Sequence, residues 1–190
     1  MNEGARMDRR FALLDRDGTV VIDKVYLSDA AGLEFAPGVI EGLRLMRDAG
    51  LRFIMVTNQS GVARGYFDEK TLDGIHARLR AMLAGEGIDL EAIYYCPHGP
   101  WDDCRCRKPR PGLVFDAMED FGFSPENAIL IGDSDADMGA AAAAGVKGIR
   151  VAPPDVNEIA AADVAADFVG AARWAVDYFE LRRKKKQPCM

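Results

Sequence analysis

Three carboxylates stand at two places in the chain where a short polar segment follows an apolar run. Asp15 and Asp17 flank Arg16, and Asp133 follows Gly132 much later in the chain. If these carboxylates face one another, they repel strongly unless a cation lies between them. An all-oxygen ligand set favours a hard ion such as Mg²⁺, which binds one or two carboxylates together with water and phosphate oxygens. The sequence therefore predicts a Mg²⁺ site that holds a phosphate group.

A phosphate held at such a site gives roles to further residues. Asp15 can attack phosphorus and form an aspartyl-phosphate, and Asp17 can protonate the leaving oxygen and later activate water. Thr57 begins the polar segment 57–61 and can bind phosphate oxygens, while Lys108 can neutralise the charge that develops during transfer. Together these residues predict the hydrolysis of a phosphate monoester.

A second group of metal-binding residue types lies in one short loop. It consists of three cysteines and one histidine: Cys96, His98, Cys104 and Cys106. In a reducing compartment such a cluster indicates a metal before disulfides, and this is the closed ligand set of a structural Zn²⁺. Because the loop continues directly into Arg107 and Lys108, zinc is expected to fix the direction of those two side chains. Trp101, in the same loop, either covers the zinc site or touches substrate.

The alternation of short apolar runs with longer amphipathic stretches shows how these residues are positioned. It indicates an α/β fold with a doubly wound, mostly parallel sheet, covered on both faces. Strands are predicted at Phe11–Leu14, Arg52–Val56, Ala92–Tyr95, Ala128–Ile131 and Gly148–Val151, with a further one at Phe168–Val169. Helices are predicted at Gly38–Asp48, at Glu69–Leu83 with Asp68 as its cap, at Leu113–Phe121 and at Asp135–Ala144. Ligands of such sheets bind outside the carboxyl ends of the strands, so the polar segments should meet at one edge.

Composition and charge exclude some classes of function for this chain. The 190 residues include 24 Lys and Arg against 30 Asp and Glu, for a net charge of −6. This acidic balance argues against nucleic-acid binding, including a zinc-dependent kind. No apolar run approaches the roughly 18 to 20 residues that span a bilayer, so we expect a cytoplasmic protein with no membrane partner. We also expect a monomer, with residues 1–181 in a single domain and the basic residues 182–190 as a disordered, solvated tail. His76 is expected to be a surface or packing residue.

Four segments, in this order, resemble the motifs of the haloacid dehalogenase-like (HAD) phosphatases: DRDGT, TNQSG, RKP and GDSDAD, at residues 15–19, 57–61, 107–109 and 132–137. The resemblance implies that Asp15 is the nucleophile and Asp17 the general acid and base. It implies phosphate contacts from Thr57 and Lys108, and Mg²⁺ held by Asp15, the backbone carbonyl of Asp17, and Asp133. Asp137 would orient Lys108. Family members often carry a cap domain, but the spacing of these motifs leaves no room for one, so substrate choice should come from loops at the rim.

The zinc-bearing, capless pattern is similar to two branches of this family. One acts on heptose bisphosphates and the other on histidinol phosphate, so either reading implies a small phosphorylated metabolite as partner. The segment from Asn58 to Phe67 resembles the heptose branch, which favours removal of the 7-phosphate of a heptose 1,7-bisphosphate on the route to ADP- or GDP-heptose. Substrate contacts are implied for Asp23, Lys24, Val25, Tyr26, Asn58, Gln59, Ser60, Arg107 and Ser134. The heptose branch often has Lys at the last of these positions.

An alternative from another class is a phospho-aspartate signalling switch, which shares the fold type and the acidic cluster. Such a switch needs a long-lived aspartyl-phosphate. Asp17 is placed to hydrolyse that species, and this favours an enzyme.

Overall fold

The computed structural model describes residues 9–152 and 163–186 of the chain. The strands are β1 (Arg10–Leu14), β2 (Leu51–Asn58), β3 (Leu90–Cys96), β4 (Ala128–Gly132), β5 (Lys147–Val151) and β6 (Asp163–Ala165). The helices are α1 (Val39–Asp48), α2 (Glu69–Gly85), α3 (Gly112–Phe121), α4 (Asp135–Ala143) and α5 (Phe168–Lys186), with short 3-10 helices at Ala30–Gly32 and Pro125–Asn127.

The strands form one six-stranded sheet in the order β3-β2-β1-β4-β5-β6. Every neighbouring pair is parallel. Alternate residues of β1 enter opposite cores, because successive side chains of a strand point to opposite faces. Ala12 and Leu14 pack with α1, α2 and α5, whereas Phe11 and Leu13 pack with α3 and α4. This arrangement confirms the predicted doubly wound α/β fold.

The strand order places β1 between β2 and β4, so the chain changes its winding direction beside β1. A crevice opens at this point, outside the carboxyl ends of the strands. Asp15 follows β1 and Asp133 follows β4, while Thr57 and Asn58 are the last two residues of β2. The topology alone therefore brings the first, second and fourth motif segments to one edge of the sheet.

The helix starts near this edge are set by local side-chain caps. The Asp68 carboxylate accepts a hydrogen bond from the Thr71 backbone N–H at 2.8 Å, which confirms the predicted cap of α2. Ser134 caps α4 through a reciprocal pair with Asp137, in which each side chain accepts from the backbone N–H of the other. The four predicted helices are all present, with ends shifted by no more than two residues.

The last part of the chain differs from the prediction. The strand expected at Phe168–Val169 is wrong: the sixth strand is Asp163–Ala165, and Phe168 begins α5. The Asp167 carboxylate accepts from the Gly170 backbone N–H at 2.7 Å, which favours a helix start at this point. Phe168 packs so closely on α1 that a Cβ on Gly42 would lie 2.7 Å from its ring. This long-range contact makes the apolar pair part of a helix face.

The basic segment also departs from expectation. Helix α5 reaches Lys186, so residues 182–186, expected to be part of a disordered, solvated tail, are helical. Residues 187–190 lie outside the described residues. Within the described ranges, none of the helices combines the length and the apolar character that crossing a membrane requires.

Candidate active site

A buried lysine lies at the centre of the crevice. The Lys108 side-chain amine donates to Asp15 Oδ1 at 2.7 Å, to Asp137 Oδ1 at 2.5 Å and to the Val56 carbonyl at 2.8 Å. These three acceptors match the three protons of an ammonium group. Burial opposes the charge, but the two carboxylates outweigh it and hold the pKa of Lys108 above its ordinary value. Lys108 is therefore a fixed cation, only 4% exposed.

Asp15 and Asp133 face this lysine from neighbouring strand ends. Oxygen atoms of Asp15, Asp133 and Asp137 all lie within 4.8 Å of one another. Burial raises the pKa of Asp15 to about 7, with Lys108 opposing the shift and Asp137 adding to it. Burial and the Asp137 charge also raise the pKa of Asp133. The three carboxylates can carry more negative charge than Lys108 compensates. This excess favours the binding of a further cation.

Asp137 has both carboxylate oxygens occupied. Oδ1 accepts from Lys108, and Oδ2 accepts from the backbone N–H and the hydroxyl of Ser134. The carboxylate also lies against Gly132, where an added Cβ would come within 2.3 Å of Asp137 Cγ. Asp137 therefore positions Lys108, the contact that the resemblance implied. Because the Ser134 hydroxyl already donates to Asp137, the substrate contact predicted for Ser134 stays a prediction.

Asp17 belongs to a second network beside the lysine. Arg16, which is 2% exposed, donates from Nε to both Asp17 oxygens at 3.1 Å and from Nη2 to Gln59 Oε1 at 2.8 Å. The Gln59 amide in turn donates to Asp17 Oδ2 and to Thr57 Oγ1, both at 2.9 Å. Arg16 and Gln59 thus fix the orientation of Asp17 and tie it to Thr57. Sequence reasoning gave Arg16 no role, although its place between two functional aspartates is a local signal.

The turn after Asp17 brings the backbone close to Asp133. Gly18 has a φ of +76°, and a Cβ there would lie 2.2 Å from Asp133 Oδ2. Only glycine combines this left-handed backbone with such a close approach. The turn consequently holds Asp15, Asp17 and Asp133 in one small volume.

His76 contacts the buried guanidinium group of Arg16. Its Nε2 lies 3.4 Å from Arg16 Nη1, and its ring packs against Tyr95 at a centroid separation of 5.4 Å. Burial and the positive charge of Arg16 lower the pKa of His76 to about 4. The packing role expected for His76 is the one observed, with the added contact to Arg16.

This histidine gives a pH-dependent contribution to stability. Its folded-state pKa lies below the ordinary value of 6.5, so the unfolded chain takes up the proton first as the pH falls. The contribution of His76 to the free energy of unfolding is fully present above pH 6.5 and decreases as the pH falls toward 4. At pH 5 about 2 kcal/mol of it has been lost. The charged groups around the ring are Arg16, Asp17 and Arg80, and their interactions are included in that shift.

We expect His76→Gln, which keeps an acceptor for Arg16, to lose this slope. Urea unfolding at pH 7.5 and pH 5 measures this slope. From pH 7.5 to pH 5 the free energy of unfolding should decrease by about 2 kcal/mol more in the wild type than in the variant. The same loss in both proteins would contradict the prediction.

Asn58 joins the end of β2 to the Lys108 main chain. Its side-chain Nδ2 donates to the Lys108 carbonyl at 3.1 Å, and its Oδ1 accepts from the Lys108 backbone N–H at 3.0 Å. The amide therefore positions the lysine-bearing segment, and a direct substrate contact of Asn58 stays a prediction.

A pocket of about 260 Å³ opens from this network to the surface. Its lining residues are Arg16, Asp17, Asp23, Val25, Tyr26, Asn58, Gln59, Ser60 and Gly61. Six of the nine residues predicted to contact substrate are among them. Of the other three, Lys24 pairs with Glu34 at 3.3 Å, Arg107 donates to the His98 carbonyl at 3.2 Å, and Ser134 caps α4.

Two pocket residues have an unusual backbone. Val25 and Tyr26 have φ values of +46° and +60°, a region that non-glycine side chains rarely adopt. The Val25 backbone N–H donates to Asp23 Oδ1 at 2.8 Å, which stabilises the turn. Strain of this kind costs about 1 to 3 kcal/mol per residue and is concentrated at ligand sites. The turn presents Tyr26 to the pocket.

The four zinc-ligand candidates lie together at the end of β3. Their ligand atoms are within 4.8 Å of one another. Cys96 Sγ lies 3.7 Å from Cys104 Sγ, 3.2 Å from Cys106 Sγ and 3.5 Å from His98 Nδ1. Tetrahedral Zn–S bonds of about 2.3 Å require separations of roughly 3.8 Å between sulfurs. The cluster therefore needs little rearrangement to hold a metal ion.

Comparison with known proteins agrees with this geometry. Residues 105–171 match the family model described as HAD-hydrolase-like. The chain is 39% identical over 145 residues to the D-glycero-β-D-manno-heptose-1,7-bisphosphate 7-phosphatase of Pasteurella multocida, covering 73% of this chain and 79% of that protein. It is 37% identical over 166 residues to the enzyme of the same name from Yersinia pestis, covering 82% and 87%.

A solved structure is similar over nearly the whole fold. The D,D-heptose 1,7-bisphosphate phosphatase of B. bronchiseptica, complexed with magnesium and phosphate, aligns with a TM-score of 0.80 at 32% identity, covering 88% of this chain and 98% of that one. At these levels of identity and coverage the chain shares with these enzymes both the fold and much of the sequence. The chain belongs to the HAD-like phosphatases, in the group whose members are named heptose-bisphosphate 7-phosphatases.

Proposed function

We propose that this protein removes the 7-phosphate of D-glycero-D-manno-heptose 1,7-bisphosphate by way of an aspartyl-phosphate on Asp15. The observation that carries the proposal is the contact of the Lys108 ammonium with Asp15, 2.7 Å apart, beside Asp133 at the carboxyl ends of the strands. A carboxylate nucleophile, a fixed cation and a further cation site in one crevice are the components that phosphoryl transfer needs.

In the first step a carboxylate oxygen of Asp15 attacks phosphorus, and the bond from phosphorus to the sugar oxygen breaks. Asp17, oriented by Arg16 and Gln59, gives its proton to that leaving oxygen. Lys108 stabilises the negative charge that spreads over the transferring phosphoryl group. The products are the dephosphorylated sugar position and phosphorylated Asp15.

In the second step water attacks the phosphorus atom bound to Asp15. The Asp17 carboxylate takes a proton from this water, the bond from phosphorus to the Asp15 oxygen breaks, and inorganic phosphate leaves. Asp15 and Asp17 return to their starting protonation states, so the cycle closes. A signalling switch would have to prevent this step, and the placement of Asp17 beside the pocket favours turnover.

The residues present fit a Mg²⁺ ion. Because both oxygens of Asp137 are occupied, Asp15 and Asp133 are the carboxylates that would hold the ion, together with the backbone carbonyl of Asp17. When bound, Mg²⁺ supplies charge neutralisation for the phosphate oxygens. The crowding of carboxylates and the raised pKa values of Asp15 and Asp133 support such a site.

The choice of substrate rests on the relatives and on the rim of the pocket. The names of the similar enzymes indicate a heptose bisphosphate. The pocket lining at Asp23, Val25 and Tyr26 leaves an opening of a size suited to a small phosphorylated metabolite. We propose a cytoplasmic, monomeric enzyme with no nucleic-acid or membrane partner.

A steady-state panel tests the proposed function. It contains both anomers of the heptose bisphosphate and histidinol phosphate, with Mg²⁺ present and then withheld. We expect the highest kcat/KM for one heptose bisphosphate anomer, and loss of turnover without Mg²⁺. A far higher kcat/KM for histidinol phosphate would replace the proposed substrate, and turnover that does not depend on a divalent ion would contradict the metal site.

We also propose that the cysteine-rich loop holds a structural Zn²⁺ through Cys96, His98, Cys104 and Cys106. Burial, together with the neighbouring thiols, raises the pKa of Cys96, so its thiolate needs a cation for stability. The loop leads directly into Arg107, which binds the His98 carbonyl, and into Lys108. The metal would thereby help to hold Lys108 against Asp15.

Substitution of one ligand tests this link. We expect Cys104→Ser to lose bound zinc and to lower kcat/KM about 10- to 100-fold, because a misplaced catalytic group reacts poorly. Metal content is measured by mass spectrometry of the purified protein, and Cys189→Ser, at the cysteine that the sequence places in the tail, is the control. Full activity in a zinc-free Cys104→Ser protein would separate the loop from catalysis.

A further inference from the structure

Arg16 is a buried charged side chain next to the proposed acid and base, Asp17. Among the residues that the structure describes, it has the largest side chain of those that are fully buried. Moving a guanidinium from water into the interior is costly, and the ion pair that it forms there adds little net stability. The reason for a charge at this position therefore lies in the groups that it holds.

All three guanidinium nitrogens of Arg16 have partners. Nε donates to both Asp17 oxygens at 3.1 Å, and Nη2 lies 2.9 Å from Asp17 Oδ2 and donates to Gln59 Oε1 at 2.8 Å. Nη1 lies 3.4 Å from His76 Nε2. Although Arg16 lines the pocket, its nitrogens are occupied in this way, so it acts on the reaction through Asp17.

His76 satisfies Arg16 without competing for its charge. Arginine only donates hydrogen bonds, so His76 Nε2 is the acceptor in this contact and the neutral ring carries its proton on Nδ1. Burial and the charge of Arg16, which lower the pKa of His76 to about 4, keep the ring neutral at pH 7. Because the acceptor is neutral, Asp17 is the one carboxylate in residues 9–152 and 163–186 that forms an ion pair with Arg16.

Separate elements anchor the two side chains. The Arg16 carbonyl accepts from the backbone N–H groups of Val20 and Val21, at 2.9 Å each. His76 lies near the middle of α2 and is 7% exposed, with its ring centroid 5.4 Å from that of Tyr95. The turn after β1 and the packing of α2 against the end of β3 thus leave the guanidinium little freedom to move.

The two oxygens of Asp17 differ in their contacts. Oδ2 accepts from Gln59 Nε2 at 2.9 Å and contacts both Nε and Nη2 of Arg16, whereas Oδ1 contacts Arg16 Nε alone among the described residues. Each carboxylate oxygen has about two lone-pair sites, so Oδ1 keeps one for a proton and Oδ2 does not. The Asp17 side chain is 26% exposed and lines the pocket, where substrate and water can reach it.

We infer that Arg16 and His76 are positioning residues, which orient Asp17 so that its Oδ1 gives a proton to the leaving oxygen and later takes one from water. The inference rests on the proposed function, because it requires Asp17 to act as acid and base. It adds to that function a residue of α2, His76, that lies outside the four motif segments.

The test uses the dependence of the rate on the leaving group. The value of kcat/KM covers the steps up to release of the alcohol, in which an alkyl oxygen needs a proton from Asp17 and a weakly basic aryl oxygen needs it less. Wild type, Arg16→Met and Arg16→Lys are assayed with the heptose 1,7-bisphosphate and with an aryl phosphate.

For Arg16→Met we expect kcat/KM to decrease about 100-fold with the heptose bisphosphate, as for a misplaced catalytic group, and less than about threefold with the aryl phosphate. Arg16→Lys should recover part of the loss, because an ammonium keeps the charge but cannot bind Asp17, Gln59 and His76 in the same plane. Misfolded protein would lower both values equally, so the aryl phosphate reports correctly folded sites.

Two substitutions at His76 test the second residue and leave the buried charge in place. His76→Leu removes the acceptor and should lower kcat/KM for the heptose bisphosphate about 3- to 10-fold, with less than about a twofold change for the aryl phosphate. His76→Gln keeps an acceptor and should stay within about twofold of the wild type for both. Arg78→Met removes a charge from an exposed position on α2 and is the control, with both values unchanged.

Asp17→Asn, assayed beside these variants, separates the inference from the proposed function. The positioning role is overturned if Asp17→Asn shows the difference between the two substrates while neither Arg16→Met nor His76→Leu does, and the proposed function then stands. If Asp17→Asn itself shows no difference, or the wild type hydrolyses neither phosphate, the proposed role of Asp17 fails and the inference fails with it.

Discussion

Replacement of Asp15 by Asn should lower kcat by at least about 10⁴-fold, the scale seen when an enzyme loses its nucleophile. The amide has nearly the shape of the carboxylate but cannot form the bond to phosphorus. Lys108 keeps its contacts with Asp137 and the Val56 carbonyl, so its position should hold. The variant also removes a buried carboxyl group whose pKa is raised to about 7. Its removal lowers the repulsion among the carboxylates. We therefore expect a folded protein without turnover, measured by phosphate release and by thermal unfolding.

The control is a largely exposed carboxylate of the same motif. Asp135 pairs with Arg150 at 2.6 Å, and its side chain is 90% exposed. Asp135→Asn makes the same chemical change and should leave kcat within about twofold, as expected for a surface pair. Turnover at the wild-type rate in Asp15→Asn would end the proposed mechanism, because no other carboxylate nucleophile is assigned.

Replacement of Asp17 by Asn should lower kcat by about 10²- to 10⁴-fold, the range associated with loss of general acid and base catalysis. Asn keeps an oxygen that accepts from Arg16 and Gln59, so the side chain should remain oriented. Both chemical steps lose their proton carrier, but the first step needs it less when the leaving group is already a weak base. With an aryl phosphate the variant should therefore form the aspartyl-phosphate and then stop.

A single-turnover experiment distinguishes this result from a general loss of structure. Labelled aryl phosphate is mixed with Asp17→Asn, and the protein is quenched with acid and examined for bound label that hydroxylamine releases. We expect close to one label per active site, whereas Asp15→Asn should carry none. Equal losses for aryl and alkyl phosphates, with no labelled protein, would argue that Asp17 does not serve the two proton transfers.

Much of the site could be predicted because it depends on strand ends. Apolar runs followed by Asp15, Thr57 and Asp133 predict parallel strands, and the carboxyl ends of parallel strands share one edge of a sheet. The cysteine-rich loop could be predicted in the same way, since its four candidate ligands lie within eleven consecutive residues. Patterns of this kind are local and need no knowledge of how distant segments pack. The strand expected at Phe168–Val169 failed because two apolar residues carry too little pattern to distinguish a strand from a helix start.

The sequence by itself determined which residue types are available for phosphate chemistry and which strand ends present them. The tertiary structure alone decided other partners: Lys108 donates to the Val56 carbonyl, Asn58 binds the Lys108 main chain, and Arg16 lies between Asp17 and His76. Such contacts join residues far apart in the chain, and a hydrogen bond forms only within about 3 Å and a narrow range of angles. Residue order does not specify distances of that size between separate elements. They follow from how the sheet twists and how its helices and loops pack on it.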